Sequence, residues 1–293
     1  MAESPSHKLG QWIGFLVEAI VKSQIEPFCK KHKYYLDCQS NNRPARKGKK
    51  VAWVDNYGNT HDLDFVIEKD GTQKKTGTPI GFIEVAWRRY TKHSRNKVQE
   101  IQGAILPLVE KHKWNNPFVG VVLAGDFTEG AIKQLKSLGF AVLYLPYNSI
   151  IAAFKKENIN IAFDESTPDS EFKKHVINLE KCPSAKIHKI KRNLLGIHRK
   201  AIKEFMRSLE QKLSKVIDKV IIVPLYGNAN EFTSIKQAVT FIEQYKENRH
   251  IGEFKKFEVY VRFSNHDKIE AEFSNKQALR EFLQYLSTAF VAG

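Results

Sequence analysis

The chain has 293 residues, enough for one large domain or two of ordinary size, and its 42% of apolar residues is sufficient for a buried core. A formal net charge of +15 at pH 7 and a pI of about 9.5 favour binding to polyanions such as nucleic acids. Three cysteines without a CxxC pair exclude a disulfide framework and a zinc ribbon. Because no apolar run approaches the roughly 20 residues of a membrane span and Met1 to Lys8 does not resemble a secretory signal, we expect a soluble cytoplasmic protein.

Apolar periodicity predicts the elements of the first half of the chain. An amphipathic helix is expected from about Lys8 to Lys31, and a polar, basic segment follows from Asn41 to Lys50. The next predicted elements, in order, are strands Val51–Asn56, Leu63–Glu68 and Ile80–Trp87, a helix Asn96–Lys111, a strand Phe118–Ala124, a helix Thr128–Leu138 and a strand Phe140–Leu145. This order predicts the α/β class, with a mixed central sheet flanked by helices.

The second half of the chain predicts a different organisation. Acidic residues, Ser and Pro between Phe163 and Ser184 indicate a linker, and a long basic helix is expected from about Ala185 to Lys219. Alternating apolar residues near the C-terminus then predict a small α/β module, in which the matching stretches Ser234–Ala238 and Ser274–Ala278 suggest a duplicated strand–helix unit. We therefore divide the chain into a domain at 1–165, a linker and basic helix at 166–219, and a module at 220–293.

Two acidic residues interrupt apolar strand sequences. Asp64 lies within His61–Ile67, and Glu84 lies within Gly81–Trp87. A carboxylate in such a setting is unfavourable unless it meets a cation or hydrogen-bond donors. Neighbouring strands can bring the two acids together, and a carboxylate pair with a main-chain carbonyl suits Mg²⁺, which activates water and stabilises charge on an attacked phosphate. Asp62, on the same strand face as Asp64, is an alternative ligand.

With a helix before them and further strands after them, these motifs resemble the PD-(D/E)XK nuclease superfamily, which includes type II restriction endonucleases. The resemblance extends from the first helix to about Glu165, a little over half of the chain, and rests on element order and spacing as well as on the short motif. It implies that Asp64 and Glu84 bind the metal, with the carbonyl of Val85 as the third protein ligand. It also implies an accessory acid at Glu18 in the first helix.

One position departs from the pattern of this superfamily. The family motif continues Glu-x-Lys, with a lysine that orients or deprotonates the attacking water, but position 86 is Ala86. Three explanations are open: an engineered Lys→Ala change that traps an inactive complex, migration of the amine to Lys92 or Lys97, and loss of catalysis. The intact surroundings favour the engineered change, which predicts a chain that binds DNA and Mg²⁺ but cleaves slowly or not at all.

Basic residues on either side of the acids are candidates for contact with phosphates. We assign this role to Arg88, Arg89, Lys92, Arg95 and Lys97 after Glu84, and to Arg43 and Arg46 before Asp64. An ordinary solvated basic face is the alternative.

The function that the resemblance implies is Mg²⁺-dependent endonuclease activity on double-stranded DNA, as in a type II restriction endonuclease. A double-strand cut requires two active sites, so a homodimer is expected, with the C-terminal module serving target recognition or dimerisation. A repair or junction nuclease is the alternative enzyme. A non-catalytic DNA-binding protein on a nuclease fold is the alternative of a different class, which Ala86 keeps open.

Overall fold

The structure is a computed structural model that describes residues 4–46, 48–91, 94–164, 166–225, 227–246 and 254–290. The chain divides into two compact units. The N-terminal unit comprises Met1–His112 and Pro117–Leu209, and the C-terminal unit comprises Lys113–Asn116 and Glu210–Gly293. The short segment 113–116 therefore belongs to the C-terminal unit although it lies in the middle of the N-terminal one along the sequence.

The N-terminal unit alternates helices and strands. Its helices are α1 (Pro5–Lys31), α2 (Ser94–Lys111), α3 (Glu129–Ser137), α4 (Tyr147–Lys155), α5 (Asp169–Glu180), α6 (Ser184–Ile197) and α7 (Arg199–Leu213), the last of which continues past the boundary of the unit. Its strands are β1 (Tyr35–Cys38), β2 (Val51–Val54), β3 (Thr60–Leu63), β4 (Phe65–Lys69), β5 (Thr78–Arg88), β6 (Phe118–Gly125) and β7 (Ala141–Pro146).

The central sheet of this unit is mixed. Its five strands lie in the order β1-β4-β5-β6-β7. β1, β4 and β5 pair antiparallel, whereas β5, β6 and β7 pair parallel. β2 and β3 form a separate antiparallel hairpin. The predicted α/β class with a mixed sheet flanked by helices is confirmed.

Both faces of the sheet are covered, which explains the apolar sequences of β5 and β6. On one face, Val98, Ile101 and Ile105 of α2 belong to the same core as Phe82 and Val121. On the other face, α1 packs against β5 and β1.

Gly120 in β6 provides the space for a helix on the sheet. A Cβ atom at this position would lie 2.9 Å from the ring of Phe205 in α7, a separation that real Cβ atoms essentially never show. The ring of Phe205 also packs edge-on against Phe118, with centroids 5.6 Å apart. The absence of a side chain at Gly120 therefore lets α7 approach the sheet.

The region predicted to be a linker and one long helix is folded differently. The supposed linker contains α5, whose first turn carries Asp169 and Glu171 directly after Pro168, a typical helix start. The supposed long helix is two helices, because His198 leaves helical geometry, and the second ends at Leu213 before a β-branched strand begins. The boundary at 165/166 is also wrong: α5, α6 and most of α7 belong to the N-terminal unit. β1 and α4 were not predicted.

The C-terminal unit is a four-stranded antiparallel sheet with two helices, and its elements are β8 (Ile217–Pro224), β9 (Asn230–Phe232), α8 (Ile235–Gln244), β10 (Phe257–Phe263), β11 (Lys268–Phe273) and α9 (Lys276–Ala289). The strands lie in the order β11-β10-β8-β9. The order strand–strand–helix occurs twice, as the matching stretches suggested. Ser234 caps α8 and Asn275 caps α9, so the second cap lies one position later within its stretch.

Within the described part of the chain, no helix combines the length and apolarity needed to cross a membrane.

Candidate active site

The two predicted acids meet where β4 begins. Asp64 occupies the bend between β3 and β4, and the pairing of Phe65 with Ile83 places it beside Glu84 on β5. The carboxylate of Asp64 accepts a hydrogen bond from the amide of Val85 at 2.6 Å, and Glu84 Oε1 accepts one from the amide of Asp64 at 3.2 Å. This reciprocal pattern holds both carboxyl groups at the same point of the sheet, as the sequence predicted.

The environment of this pair opposes its negative charge. Glu84 is only 8% exposed, and burial followed by the charge of Asp64 raises its pKa well above the ordinary value. Burial also raises the pKa of Asp64, although the amide of Val85 and a hydrogen bond to Glu84 oppose that rise. The two carboxyl groups therefore lie within hydrogen-bonding reach of each other. Such a pair must share a proton or be neutralised by a cation.

The positive charge of Lys97 on α2 acts on both acids. It lowers the pKa of both Asp64 and Glu84, and its Nζ lies 3.0 Å from Glu100 Oε2. Lys97 belongs to the same helix as Val98 and Ile101, which pack on the sheet face that carries Phe82 and Ala86. Glu84 lies between those two positions on the strand and shares their face, since residues two apart point to the same side. The structure thus brings Lys97, one of the two candidate amines, to the acids.

Ala86 itself is a core residue. It is 1% exposed and clusters with Val51, Leu63 and Val98. Its methyl group is accommodated by these apolar surroundings. The other candidate amine, Lys92, lies outside the described residues.

Glu18 approaches from α1 as a third acid. Burial, followed by the charge of Asp64, raises the pKa of Glu18 to about 7. The predicted accessory acid is therefore electrostatically coupled to the pair.

The donor set limits what this site can hold. Among the described residues, no group of three or more His, Cys, Asp and Glu side chains is arranged to hold a metal ion. Two carboxylates are in place, and the amide of Val85 points toward Asp64. Since the N–H and C=O of one strand residue point to the same side, the carbonyl of Val85 faces this site as well. That set fits Mg²⁺, which takes few protein oxygens and retains several waters.

A cleft of about 930 Å³ is lined by neighbours of the acid pair, although not by Asp64 or Glu84 themselves. Glu18, Val85, Ala86 and Lys97 are part of its lining. Further contributions come from one face of α1, the end of β5 and the beginning of α5, including His7, Gln11, Phe15, Trp87, Thr167 and Asp169. These residues were not predicted to belong to the site. The spacing of His7, Gln11 and Glu18 places them on one face of α1, which could have indicated that they lie together.

Gly125 fixes the end of β5 at the cleft. Its φ of +101° is unfavourable for residues with a side chain, and an added Cβ would overlap the carbonyl of Arg88. The same carbonyl accepts a hydrogen bond from the amide of Asp126 at 2.8 Å. These contacts therefore fix the main chain at Arg88, the first of the basic residues that follow Glu84.

The basic residues that follow Glu84 differ in whether their side chains are free to contact a phosphate. Arg88 lines the cleft and lies 3.8 Å from Glu100. Arg89 also lines the cleft, but it donates to the carbonyl of Asp164 at 2.7 Å and lies over the ring of Phe172 at 4.9 Å. Arg95 is exposed.

Arg43 and Arg46 have structural roles, which corrects their assignment to phosphate contact. The guanidinium of Arg43 is buried, where it bonds both oxygens of Glu68 at 2.5 and 2.8 Å and Asp37 at 2.9 Å. Its remaining donors meet the carbonyls of Thr72 and Lys75. Arg46 bonds Asp37 and four main-chain carbonyls. With their donors occupied, neither is available for DNA.

Comparisons with known proteins add little to this geometry. No family model matches the chain, and no curated protein matches it. One similar solved structure is described as "Crystal Structure of Protein of Unknown Function AF1548", with 13% identity and a TM-score of 0.30, covering 67% of this chain and 97% of that one. A similarity at that level carries no argument about function, which therefore rests on the residues themselves.

Proposed function

We propose that this protein is a Mg²⁺-dependent endonuclease that hydrolyses phosphodiester bonds in double-stranded DNA, as the resemblance to the PD-(D/E)XK superfamily implies. The observation that carries the proposal is the pair Asp64 and Glu84, which hydrogen bonds with main-chain amides hold together and whose pKa values burial raises. Perturbed carboxyl pairs beside a cleft are typical of catalytic sites. The net charge of +15 supports a polyanionic substrate.

Each residue has a role in this proposal. Asp64, Glu84 and the carbonyl of Val85 hold Mg²⁺, which would supply a polarised water and offset charge on the phosphate. Lys97 contributes a positive charge on the same side of the site, where it favours the deprotonated state of the attacking water. Arg88 lies in the cleft within reach of a flanking phosphate.

The position of Lys97 changes the preferred explanation for Ala86. A lysine that acts on both acids is already present, and Ala86 fits its apolar surroundings. Both observations favour migration of the amine over an engineered or degenerate site. We therefore propose that the chain is active as it stands, in contrast to the expectation from the motif alone.

Plasmid cleavage with Mg²⁺ tests this proposal. The unchanged chain should cleave, Lys97→Ala should lower the rate by about 10²-fold or more, and Ala86→Lys should not increase it. Lys133→Ala, an exposed helix lysine paired with Glu129, is the matched control and should retain full activity. If the unchanged chain is inactive and Ala86→Lys activates it, the role of Lys97 is wrong. If no variant cleaves although DNA is bound, the non-catalytic alternative holds.

We further propose that the protein acts as a homodimer, because one acid pair can cut only one strand at a time. Analytical ultracentrifugation of the chain with and without DNA tests this assembly. A monomer that nonetheless makes double-strand breaks would contradict it.

A further inference from the structure

A dense concentration of positive charge lies on α6 and α7, outside the cleft beside the acids. Residues 184–207 contain eight Lys and Arg residues and one acid, Glu204, so about half of the net charge of +15 comes from these 24 positions. None of these residues lines the cleft beside Asp64 and Glu84. The proposed catalytic site therefore does not account for this charge.

The charged residues form the outer face of the two helices. Ile190, Leu194, Ile202 and Phe205 are buried. Six of the basic residues are exposed and the other two, Lys186 and Lys191, are half-buried; the exposed ones are Lys189, Arg192, Arg199, Lys200, Lys203 and Arg207. We call these eight residues the α6–α7 basic face. Because the apolar residues point inward, the charges of each helix are presented to solvent.

Carboxylates do not neutralise this face. Among the described residues, none of its eight side chains forms a salt bridge, whereas elsewhere in the unit exposed lysines do so, as Lys133 does with Glu129 at 2.6 Å. Pairs such as Lys203 and Arg207, four positions apart on one helix, repel each other and destabilise the helix. An ordinary solvated helix surface interleaves acids with bases, and this one does not.

The helices that carry the face are fixed to the unit. Asn193 donates to the carbonyl of Ala153 and to Glu157 on the α4 side, and His198 lies 2.6 Å from the hydroxyl of Ser149. A rigid array of charges loses little conformational freedom when a ligand binds. With 14 and 15 residues, the two helices are each about 20 Å long, more than half of a duplex turn.

We propose that the α6–α7 basic face binds the phosphate backbone of duplex DNA as a second site, separate from the cleft. In its choice of DNA the inference rests on the proposed function, and it adds that the substrate must be long enough to occupy both sites. A membrane is the poorer partner, because interfacial helices expose several large apolar side chains. Of those on these helices, only Ile197 is substantially exposed, at 40%.

Salt-dependent binding tests the inference without any need for cleavage. The cleavage-silent variant Asp64→Asn and a 30-base-pair duplex allow the affinity to be measured by fluorescence anisotropy over a series of KCl concentrations. Binding should weaken at least tenfold when four further substitutions are added to the Asp64→Asn variant: Lys189→Gln, Arg192→Gln, Arg199→Gln and Lys203→Gln. The log–log salt slope should become shallower by as much as about 3.6, which is 0.9 for each phosphate that the protein no longer neutralises.

A matched control separates this face from charge in general. A control variant loses the same amount of charge from other exposed positions of the same unit, through Lys30→Gln, Lys74→Gln, Lys133→Gln and Lys136→Gln. This control should leave the slope nearly unchanged. An equal change in both variants, or no change in either, would overturn the proposal. So would equally tight and equally sensitive binding to duplex RNA or to vesicles of anionic phospholipid.

The result is independent of the proposed nuclease activity. If the slope changes but the unchanged chain never cuts DNA, the basic face stands and the nuclease assignment fails. If the chain cuts DNA but the slope does not change, the nuclease assignment stands and this inference fails.

Discussion

The two units of the molecule differ in how their positive and negative side chains are distributed. The C-terminal unit, residues 113–116 and 210–293, contains 13 basic and 11 acidic residues, so +13 of the net charge of +15 is carried by the N-terminal unit. In the C-terminal sheet the charges pair across or along strands, as in Lys219 with Glu231 at 2.8 Å and Lys256 with Glu272 at 2.7 Å. In the N-terminal unit, like charges are left together at the acid pair and on the α6–α7 basic face. Uncompensated charge indicates where a ligand is needed.

Buried ionisable groups narrow this contrast. In the N-terminal unit, burial, followed by the charge of Asp64, raises the pKa of both Glu84 and Glu18. In the C-terminal unit, Lys215 is 6% exposed, and burial lowers its pKa to about 7, yet it donates to the carbonyl of Asn116 at 2.8 Å and lies 3.4 Å from Asp267. The N-terminal unit buries one pair of acids together, but it pairs its buried Arg43 with acids, and the buried Lys215 of the C-terminal unit also has hydrogen-bond partners. The acid pair, rather than burial of charge in itself, therefore distinguishes the N-terminal unit.

The largest expected effect is on catalysis. Glu84→Gln should lower plasmid cleavage by about 10³-fold or more, because it removes a metal-binding carboxylate, and should stabilise the metal-free protein by removing repulsion with Asp64. Cleavage assays and thermal melts without Mg²⁺ measure the two effects. Asp62→Asn is the control, since Asp62 is exposed and paired with Lys50, and it should change neither. A large loss of cleavage with Asp62→Asn would make that residue the ligand.

The second effect is on the stability of the N-terminal unit. Arg43→Met should destabilise it by about 3–5 kcal/mol, since Glu68 and Asp37 would remain buried without their cation. Urea unfolding measures this change in free energy. Arg207→Met, on the exposed face, is the control and should be nearly neutral. A small effect of Arg43→Met would mean that the two acids take up protons or other partners at little cost.

The third effect is on the pH dependence of stability, which should have opposite signs in the two units. The pKa of Glu18 is raised from 4.5 to about 7, so its contribution is present below pH 4.5 and lost as the pH rises through 7. The pKa of Lys215 is lowered from 10.5 to about 7, so its contribution is present above pH 10.5 and lost as the pH falls through 7. Glu18→Gln should reduce the loss in Tm as the pH rises through 7, and Lys215→Met should reduce the loss in Tm as the pH falls through 7. If either variant instead changes Tm in the other direction of pH, the corresponding assignment is wrong.

The smallest effect is expected from removing the C-terminal unit. Truncation at Pro183 would delete α6 and α7 from the N-terminal core, so the chain should end after Leu213 instead. The truncated form should also carry Trp114→Ser, because the ring of Trp114 packs on Phe282 and would lose that contact. Nicking by this form should stay within about threefold of the full chain, because the acids and Lys97 are retained. A nicking assay and a thermal melt measure activity and folding. Loss of activity in a folded truncated form would place the C-terminal unit in catalysis.

The sequence predicted the parts of the fold and site that follow from local pattern. Apolar periodicity identified α2, β5 and β6, and acids in apolar strands identified Asp64 and Glu84. It could not identify what depends on distant partners. Arg43 lies in a segment that looks solvated, yet Asp37 from β1 and Glu68 from β4 enclose it. In the same way, the sequence offered Lys97 as one of two candidate amines, and its effect on both acids became apparent only from the packing of α2 on the face that holds Glu84.

The segment 113–116 also has a consequence for synthesis of the protein on the ribosome. It joins α2 to β6 along the chain, yet Trp114 packs against Phe282, with centroids 5.0 Å apart, and Tyr285 donates a hydrogen bond to Asn115. Both partners are translated near the end of the chain, well after the sheet strands have emerged. Domains usually fold in order from the N-terminus. Segment 113–116 therefore gains its contacts with Phe282 and Tyr285 only when translation is nearly complete.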